Sequence, residues 1–228
     1  RAIRATAVSN YALGYSGVRL QVVAALVRLL NAGVTPVVPA KGSVGYLSHM
    51  AHIALVLVGS GRARVGDRIV TGAEALAAAG LGPLELGAKE GLSLVNGIPC
   101  ATGLASLALK RAERLLDWAD AIAALTIEAL MGNPAAFDPA ALSLRASPAL
   151  QAVGASLRDR LAGSGIVAAG AGRKTQDALS MRAVPHVHWA ARDAFAAAAD
   201  VVERELASVS DNPAIVGMPD EPGVHSEA

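Results

Sequence analysis

Aromatic residues are scarce in this 228-residue chain: two Phe, two Trp and three Tyr, 3% in all. β-Sandwiches and barrels draw on aromatic and β-branched side chains, so the scarcity argues against them. Charge is also thin, at 17% of residues against a usual quarter or so. Part of the surface is therefore expected to be buried between subunits. The formal net charge of +1 offers no attraction for nucleic acid or an anionic membrane, and neither is expected as a partner. Cys100 stands alone, which excludes an intrachain disulfide and fits a reducing, cytoplasmic setting. Its thiol reads as a small buried hydrophobe. Long apolar runs are missing too. The uncharged stretch from Gly42 to Ser60 is continuously apolar only over Ile53 to Val58, too short to cross a bilayer, and no signal-peptide pattern opens the chain.

What the chain does have is Ala and Leu, with 53% hydrophobic residues and a mean hydropathy of +0.43. That mixture suits helices packed among helices, and the length allows a sizeable core. Helical periodicity is expected over Arg1 to Leu13, Val22 to Leu30, from the Gly42–Gly45 turn to about Val58, Thr71 to Ala79, Ala101 to about Met131, Pro148 to Leu161, and Pro185 to about Val209. Ser16 is a candidate cap, and Gly33 ends the second helix as a C′ residue. Thr71 followed by Glu74 has the spacing of a capping box. Thr35 to Pro39 reads as extended loop, and Arg64 to Val70 as a small ribbon turning at Gly66-Asp67. Gly163 to Gly172, with almost no side chains to bury, reads as a mobile loop. The ending at Val224 to Ala228 carries no cap or terminal element.

Four stretches invite chemistry. Gly42-Ser43-Val44-Gly45-Tyr46 is a flexible turn at a helix N-terminus, where backbone can approach a ligand and the helix dipole favours negative charge. Asn96-Gly97 is first a turn signal, though an Asn amide can polarise an oxygen as an oxyanion-hole donor does. In Gln176-Asp177-Ala178-Leu179-Ser180-Met181-Arg182, the Arg182 fork suits bidentate carboxylate binding or a structural ion pair, and Gln176 suits a polar side chain or amine. Pro185-His186-Val187-His188 opens a long helix. His-x-His places its rings about 200° apart on a helix, so no metal site is expected there. His49 and His52 share a helix face, and without further ligands they read as hydrogen-bonded interior residues.

Several of these motifs together resemble the histidine and aromatic amino-acid ammonia-lyase family, closest to its bacterial histidine ammonia-lyases. Pro39-Ala40-Lys41-Gly42-Ser43-Val44-Gly45 and Leu47-x-x-Met50-Ala51-His52 match the flanks of the family's electrophile loop. Gly14-Tyr15-Ser16-Gly17-Val18-Arg19 precedes them, and Lys89-Glu90-Gly91-Leu92-Ser93-Leu94-Val95-Asn96-Gly97, Gln176 to Arg182 and Asp211-Asn212-Pro213 follow, in the family's order. The family's Ala-Ser-Gly triad, which cyclises into a methylidene-imidazolone (MIO), would fall between Gly45 and Tyr46, where no letters stand. Two explanations remain: a deletion variant without the electrophile, or a matured triad that the standard letters do not write. The intact pattern beyond, which a three-residue deletion would shift by nearly one turn of about 3.6 residues, favours the second.

The resemblance implies an all-α fold: the long helical bundle of the fumarase/aspartase-like type with a small loop-rich MIO-bearing region, in a homotetramer. Residues 1–228 form one such region, part of a chain roughly twice as long. It implies elimination of ammonia from histidine or a related aromatic L-amino acid to give an α,β-unsaturated acid. The alternatives are a 2,3-aminomutase or a catalytically silent paralogue. Asn96, with Gly45 and Tyr46 flanking the electrophile, would be catalytic; Arg182 would grip the substrate carboxylate and Gln176 would line its pocket. Two departures bear on turnover. Leu179 replaces the family's Tyr and cannot transfer a proton, and Tyr46, standing where the family has Asp, is a candidate to compensate.

Overall fold

The computed structural model describes residues 1–217 and 225–227. It is mostly helical, as expected. The chain divides into two compact units: residues 1–107 with 201–228, and residues 108–200.

In the first unit, α1 (Ala2–Ala12) packs on α2 (Leu20–Asn31). The apolar spacing of α2 explains the contact, since Val22, Ala25, Leu26 and Leu29 fall on one face and all are buried. Burying a side chain such as Leu26 or Leu29 contributes about 1.5–3 kcal/mol. Strand β1 (Thr35–Pro36) was expected only as extended loop. It pairs antiparallel with β2 (Arg62–Val65), because Pro36 sits at an edge where its missing N–H costs nothing. Between them lies α3 (Leu47–Leu57), which buries Met50, Ile53, Val56 and Leu57. The ribbon of β2 with β3 (Arg68–Thr71) forms as expected around Gly66-Asp67.

Helix α4 (Gly72–Ala78) opens with the anticipated capping box. Thr71 Oγ1 accepts from Glu74 N at 3.4 Å, and Glu74 Oε2 accepts from Thr71 N at 2.9 Å. Gly72 lies so close to the preceding turn that a Cβ there would meet Ser60 O at 1.9 Å. Helix α5 (Glu90–Ser93) is one short turn, and the 31-residue α6 (Pro99–Ala129) follows, its first residues in this unit. Cys100 is buried, as expected.

The second unit holds the rest of α6, a 3-10 turn (Pro134–Phe137), α7 (Pro139–Ser143) and α8 (Pro148–Leu161). Three times a polar cap precedes Pro: Asn133-Pro134, Asp138-Pro139 and Ser147-Pro148, each with the capping oxygen on a backbone N–H. Proline at the first helical position gives up only an N–H that has no partner there. The core gathers Ala124, Ile127, Phe137, Val153, Leu157 and Val167.

The mobile loop expected over Gly163 to Gly172 is instead largely helical, as α9 (Gly165–Gly170). Ser164 caps it by accepting from Val167 N at 3.1 Å, Val167 is buried, and Gly170 lies against Met131. The bare glycines permit this close approach. Helices α10 (Leu179–Arg182) and α11 (Val184–Leu206) complete the unit, and the end of α11 returns to the first. Strand β4 (Ala214–Val216) then pairs with β5 (His225–Glu227), so a terminal element exists where none was expected. Val224 and Ala228 lie outside the described residues.

Candidate active site

The chain bends into α3 through a closed turn. Val44 O accepts from Leu47 N at 3.1 Å, with Gly45 (φ 56°) and Tyr46 (φ 64°) as the two central residues. Positive φ at both positions is the primed turn geometry, natural for Gly45 and strained for Tyr46. Ser43 and Ser48 tie the turn across its base. Ser43 Oγ accepts from Ser48 N at 3.1 Å, and Ser48 Oγ donates to Gly42 O at 3.3 Å. The Tyr46 ring is half-exposed and tilted at 50° to the His49 ring, with centroids 5.5 Å apart. His49 does not meet the expectation of a hydrogen-bonded interior residue: its Nδ1 is buried without a partner.

The MIO group is made from the chain's own backbone, so the residues present decide whether it fits. No Ala-Ser-Gly triad stands in this sequence, and Gly45 and Tyr46 are neighbours inside the turn. The segment as it stands does not fit the group.

Asn96 lies in the first unit, beyond α5. Its Nδ2 donates to Asn212 O at 2.8 Å and also contacts Asn212 Oδ1. Those bonds occupy its donors and leave its carbonyl oxygen as an acceptor. Among the described residues no hydrogen bond joins Asn96 to Gly45 or Tyr46. The surrounding motif does structural work that sequence reasoning missed. Asp211 Oδ1 accepts from Asn10 Nδ2 at 2.8 Å and Ser16 Oγ at 2.7 Å, while Oδ2 faces Lys89 Nζ at 3.2 Å. Lys89 also donates to Ser16 O and Ser93 Oγ, and Tyr11 Oη donates to Ser93 O. Burial pushes the Asp211 carboxyl up, but the bonds from Asn10, Ser16 and Lys89 outweigh it and hold the carboxyl below its ordinary value. Burial, with Asp211 nearby, raises the Tyr11 phenol.

Beside this network, Glu90 takes a bidentate Arg19 at 2.9 and 2.7 Å and two backbone N–H groups, from Arg19 and Gly87. The Arg19 side chain chiefly, with those N–H groups, holds the Glu90 carboxyl down to about 2 against the cost of burial. Arg19, Lys89 and Glu90 all fall in motifs that match the family, yet their visible role is to hold the first unit together.

In the second unit, Gln176 and Arg182 are brought together. Both line a cavity of about 300 Å³, with Asn133, Asp177 and His186 among its other walls. Asp177 anchors the loop: its Oδ2 accepts from Asn133 N at 2.5 Å and its backbone O accepts from Arg182 Nε at 3.1 Å. The other oxygen, Oδ1, is buried without a hydrogen bond, Lys174 Nζ lying 3.6 Å away. Among the described residues no carboxylate pairs with Arg182, so the structural ion pair considered for it is not found there. Asp177 stands within the recognised motif. Asn133, in a turn signal, carried no sign of reaching this wall.

Leu179 and His188 line a different, more apolar cavity of about 490 Å³. His188 Nδ1 lies 2.7 Å from Asp120 Oδ1, and Asp120 Oδ2 accepts from Arg192 at 2.8 Å. Asp120 is buried and both its oxygens are used. Among the described residues, no cluster of His, Cys, Asp or Glu could hold a metal ion, and no helix is long and apolar enough to cross a membrane.

The aromatic amino acid lyase family pattern matches residues 1–228. A histidine ammonia-lyase from Gloeobacter violaceus is 46% identical over 219 residues, covering 94% of this chain and 43% of its own length. One from Deinococcus radiodurans is 47% identical over 212 residues, covering 90% and 40%. Among solved structures, the Pantoea agglomerans phenylalanine aminomutase has a TM-score of 0.88 at 29% identity, over 99% of this chain and 47% of its own. The Trypanosoma cruzi histidine ammonia-lyase has 0.85 at 29%, over 99% and 42%. The chain thus spans less than half the length of these relatives. With its motifs in order and the family pattern running from end to end, the chain belongs to the aromatic amino acid lyase family.

Proposed function

We propose that the whole protein binds histidine or a related aromatic L-amino acid in a site of the ammonia-lyase kind, to which this chain contributes Gln176 and Arg182. The observation that carries the reading is that these two motif residues line one cavity in a chain of this family. Arg182 meets the substrate carboxylate with its guanidinium fork, and Gln176 offers an amide to the amine or a polar ring atom. In the first unit, Asn96 is a candidate of its own, with the carbonyl oxygen that its bonds to Asn212 leave open as an acceptor. The reaction in view is the loss of ammonia to give an α,β-unsaturated acid, for which the family's electron sink is MIO. A 2,3-aminomutase would need the same sink, which segment 42–48 does not fit. A second reading, a catalytically silent member that binds without eliminating, is favoured by the closed Val44–Leu47 turn.

Exposed Leu115, Trp118, Ile122 and Leu125 repeat at three- and four-residue spacing along α6. Such an apolar stripe supports a homo-oligomer, which we take to be the tetramer expected from the resemblance. The lone buried cysteine supports a cytoplasmic setting.

Titration of the full-length protein with L-histidine, L-phenylalanine and L-tyrosine tests the reading, alongside assays for unsaturated acid and β-amino acid. Binding of one of them is expected. Arg182→Met is expected to weaken it tenfold or more, since a charged hydrogen bond is worth about 1.5–3 kcal/mol. The reading fails if none binds, or if the variant binds as tightly as the parent.

A further inference from the structure

We infer that segment 42–48 of this chain is a finished structural cap on α3 that does not mature into an imidazolone electrophile. The inference concerns the site proposed above and rests on that reading for its meaning, though not for its test. Forming such a ring takes three consecutive residues. The backbone nitrogen of the third attacks the carbonyl carbon of the first and water leaves; the central Ser then loses its hydroxyl and α-hydrogen as a second water. Two serines lie in the segment, and neither stands in that arrangement.

At Ser43 the attacking nitrogen would be that of Val44, whose branched Cβ crowds the backbone where a Gly would leave it open. Ser48 Oγ donates to the Gly42 carbonyl and Ser48 N donates to the Ser43 hydroxyl, so both groups are tied into the base of the turn. At Ser48 the attacking nitrogen would be that of His49. It donates to Tyr46 O at 3.2 Å within the first turn of α3, which holds it away from the Leu47 carbonyl carbon. The Ser43 hydroxyl therefore acts as a helix-capping hydroxyl does, accepting from an N–H in the first turn of α3, while the Ser48 hydroxyl ties that turn back to the Gly42 carbonyl. Gly45 and Tyr46 close the turn directly, and Tyr46 enters α3 in the left-handed conformation with no residue between.

The experiment is intact mass and near-ultraviolet absorbance on the full-length protein, before and after borohydride, with and without an Ala-Ser-Gly insertion between Gly45 and Tyr46. The parent is expected at its unmodified mass, with no band that borohydride removes. The inserted variant is expected to lose the mass of two waters and to gain such a band. A parent mass short by two waters, or a borohydride-sensitive band in the parent, overturns the inference. The parent measurement decides even where the inserted variant does not fold. Amino-acid titration of the same sample separates the two claims. Binding without the band supports both; neither binding nor band sinks the recognition reading while leaving this inference standing.

Discussion

The two units bury polar groups in different ways. In the first, Asn10, Tyr11, Ser16, Lys89, Ser93 and Asp211 form one network that draws together α1, α5 and the 211 turn, with Arg19–Glu90 beside it. In the second, an apolar core carries Asp120 with His188 and Arg192 at its side, while Asn133, Gln176, Asp177 and Arg182 line an open cavity. The first arrangement fixes a fold, because each buried donor or acceptor left unmatched costs about 1–3 kcal/mol. The second leaves Gln176 and the two terminal nitrogens of Arg182 without a hydrogen bond among the described residues. Motif residues thus serve architecture in the first unit, whereas in the second two of them line a cavity.

The sharpest test of this contrast removes each central carboxylate. Asp211→Ala strands Lys89, whose side chain is mostly buried, and should cost about 3–5 kcal/mol in urea unfolding. Asp120→Ala should cost less, about 2 kcal/mol, because Arg192 is partly solvated. Equal losses would remove the distinction drawn here.

Packing gives a second, smaller comparison. Gly72→Ala in the first unit drives a Cβ to 1.9 Å from the backbone oxygen of Ser60, which cannot step aside, so about 3 kcal/mol is expected. Gly154→Ala in the second drives one to 2.1 Å from Leu142 Cδ1, the far end of a side chain that can turn away. About 1 kcal/mol is expected there. Thermal melts of both variants check the order.

Acid should act on the first unit through Glu90. Its folded value of about 2 lies below the ordinary 4.5, so its contribution is complete above about 4.5 and is lost as pH falls towards 2. Arg19 is half-exposed, which screens the pair and limits the effect to about 1–2 kcal/mol. Glu90→Gln should flatten that part of the pH–stability profile; an unchanged slope would assign the acid sensitivity elsewhere.

Much of this was legible beforehand, and the exceptions share a cause. Local signals read well: Thr71 and Glu74 form their capping box, and α8 runs from Pro148 to Leu161 as its periodicity implies. Gly163 to Gly172 read wrongly because composition alone registers small side chains, not that Gly170 could lie against Met131. Arg182 and Gln176 were found by motif, but Asn133 was not, being more than forty residues away in sequence. His49 kept the helix face assigned to it and lacked the expected partner.

Sequence by itself determined the helical class, the caps and turns, and the family, because each depends on residues that are neighbours in the chain; at Gly45-Tyr46 it left two explanations and favoured an unwritten triad. Only tertiary structure decided that Asp211 reaches Asn10, that Glu90 holds Arg19, and that Gln176 shares a cavity with Asn133. Those pairings join residues tens to hundreds of positions apart. Their partners are selected by burial and hydrogen-bond satisfaction in the folded chain, which no local pattern of letters records.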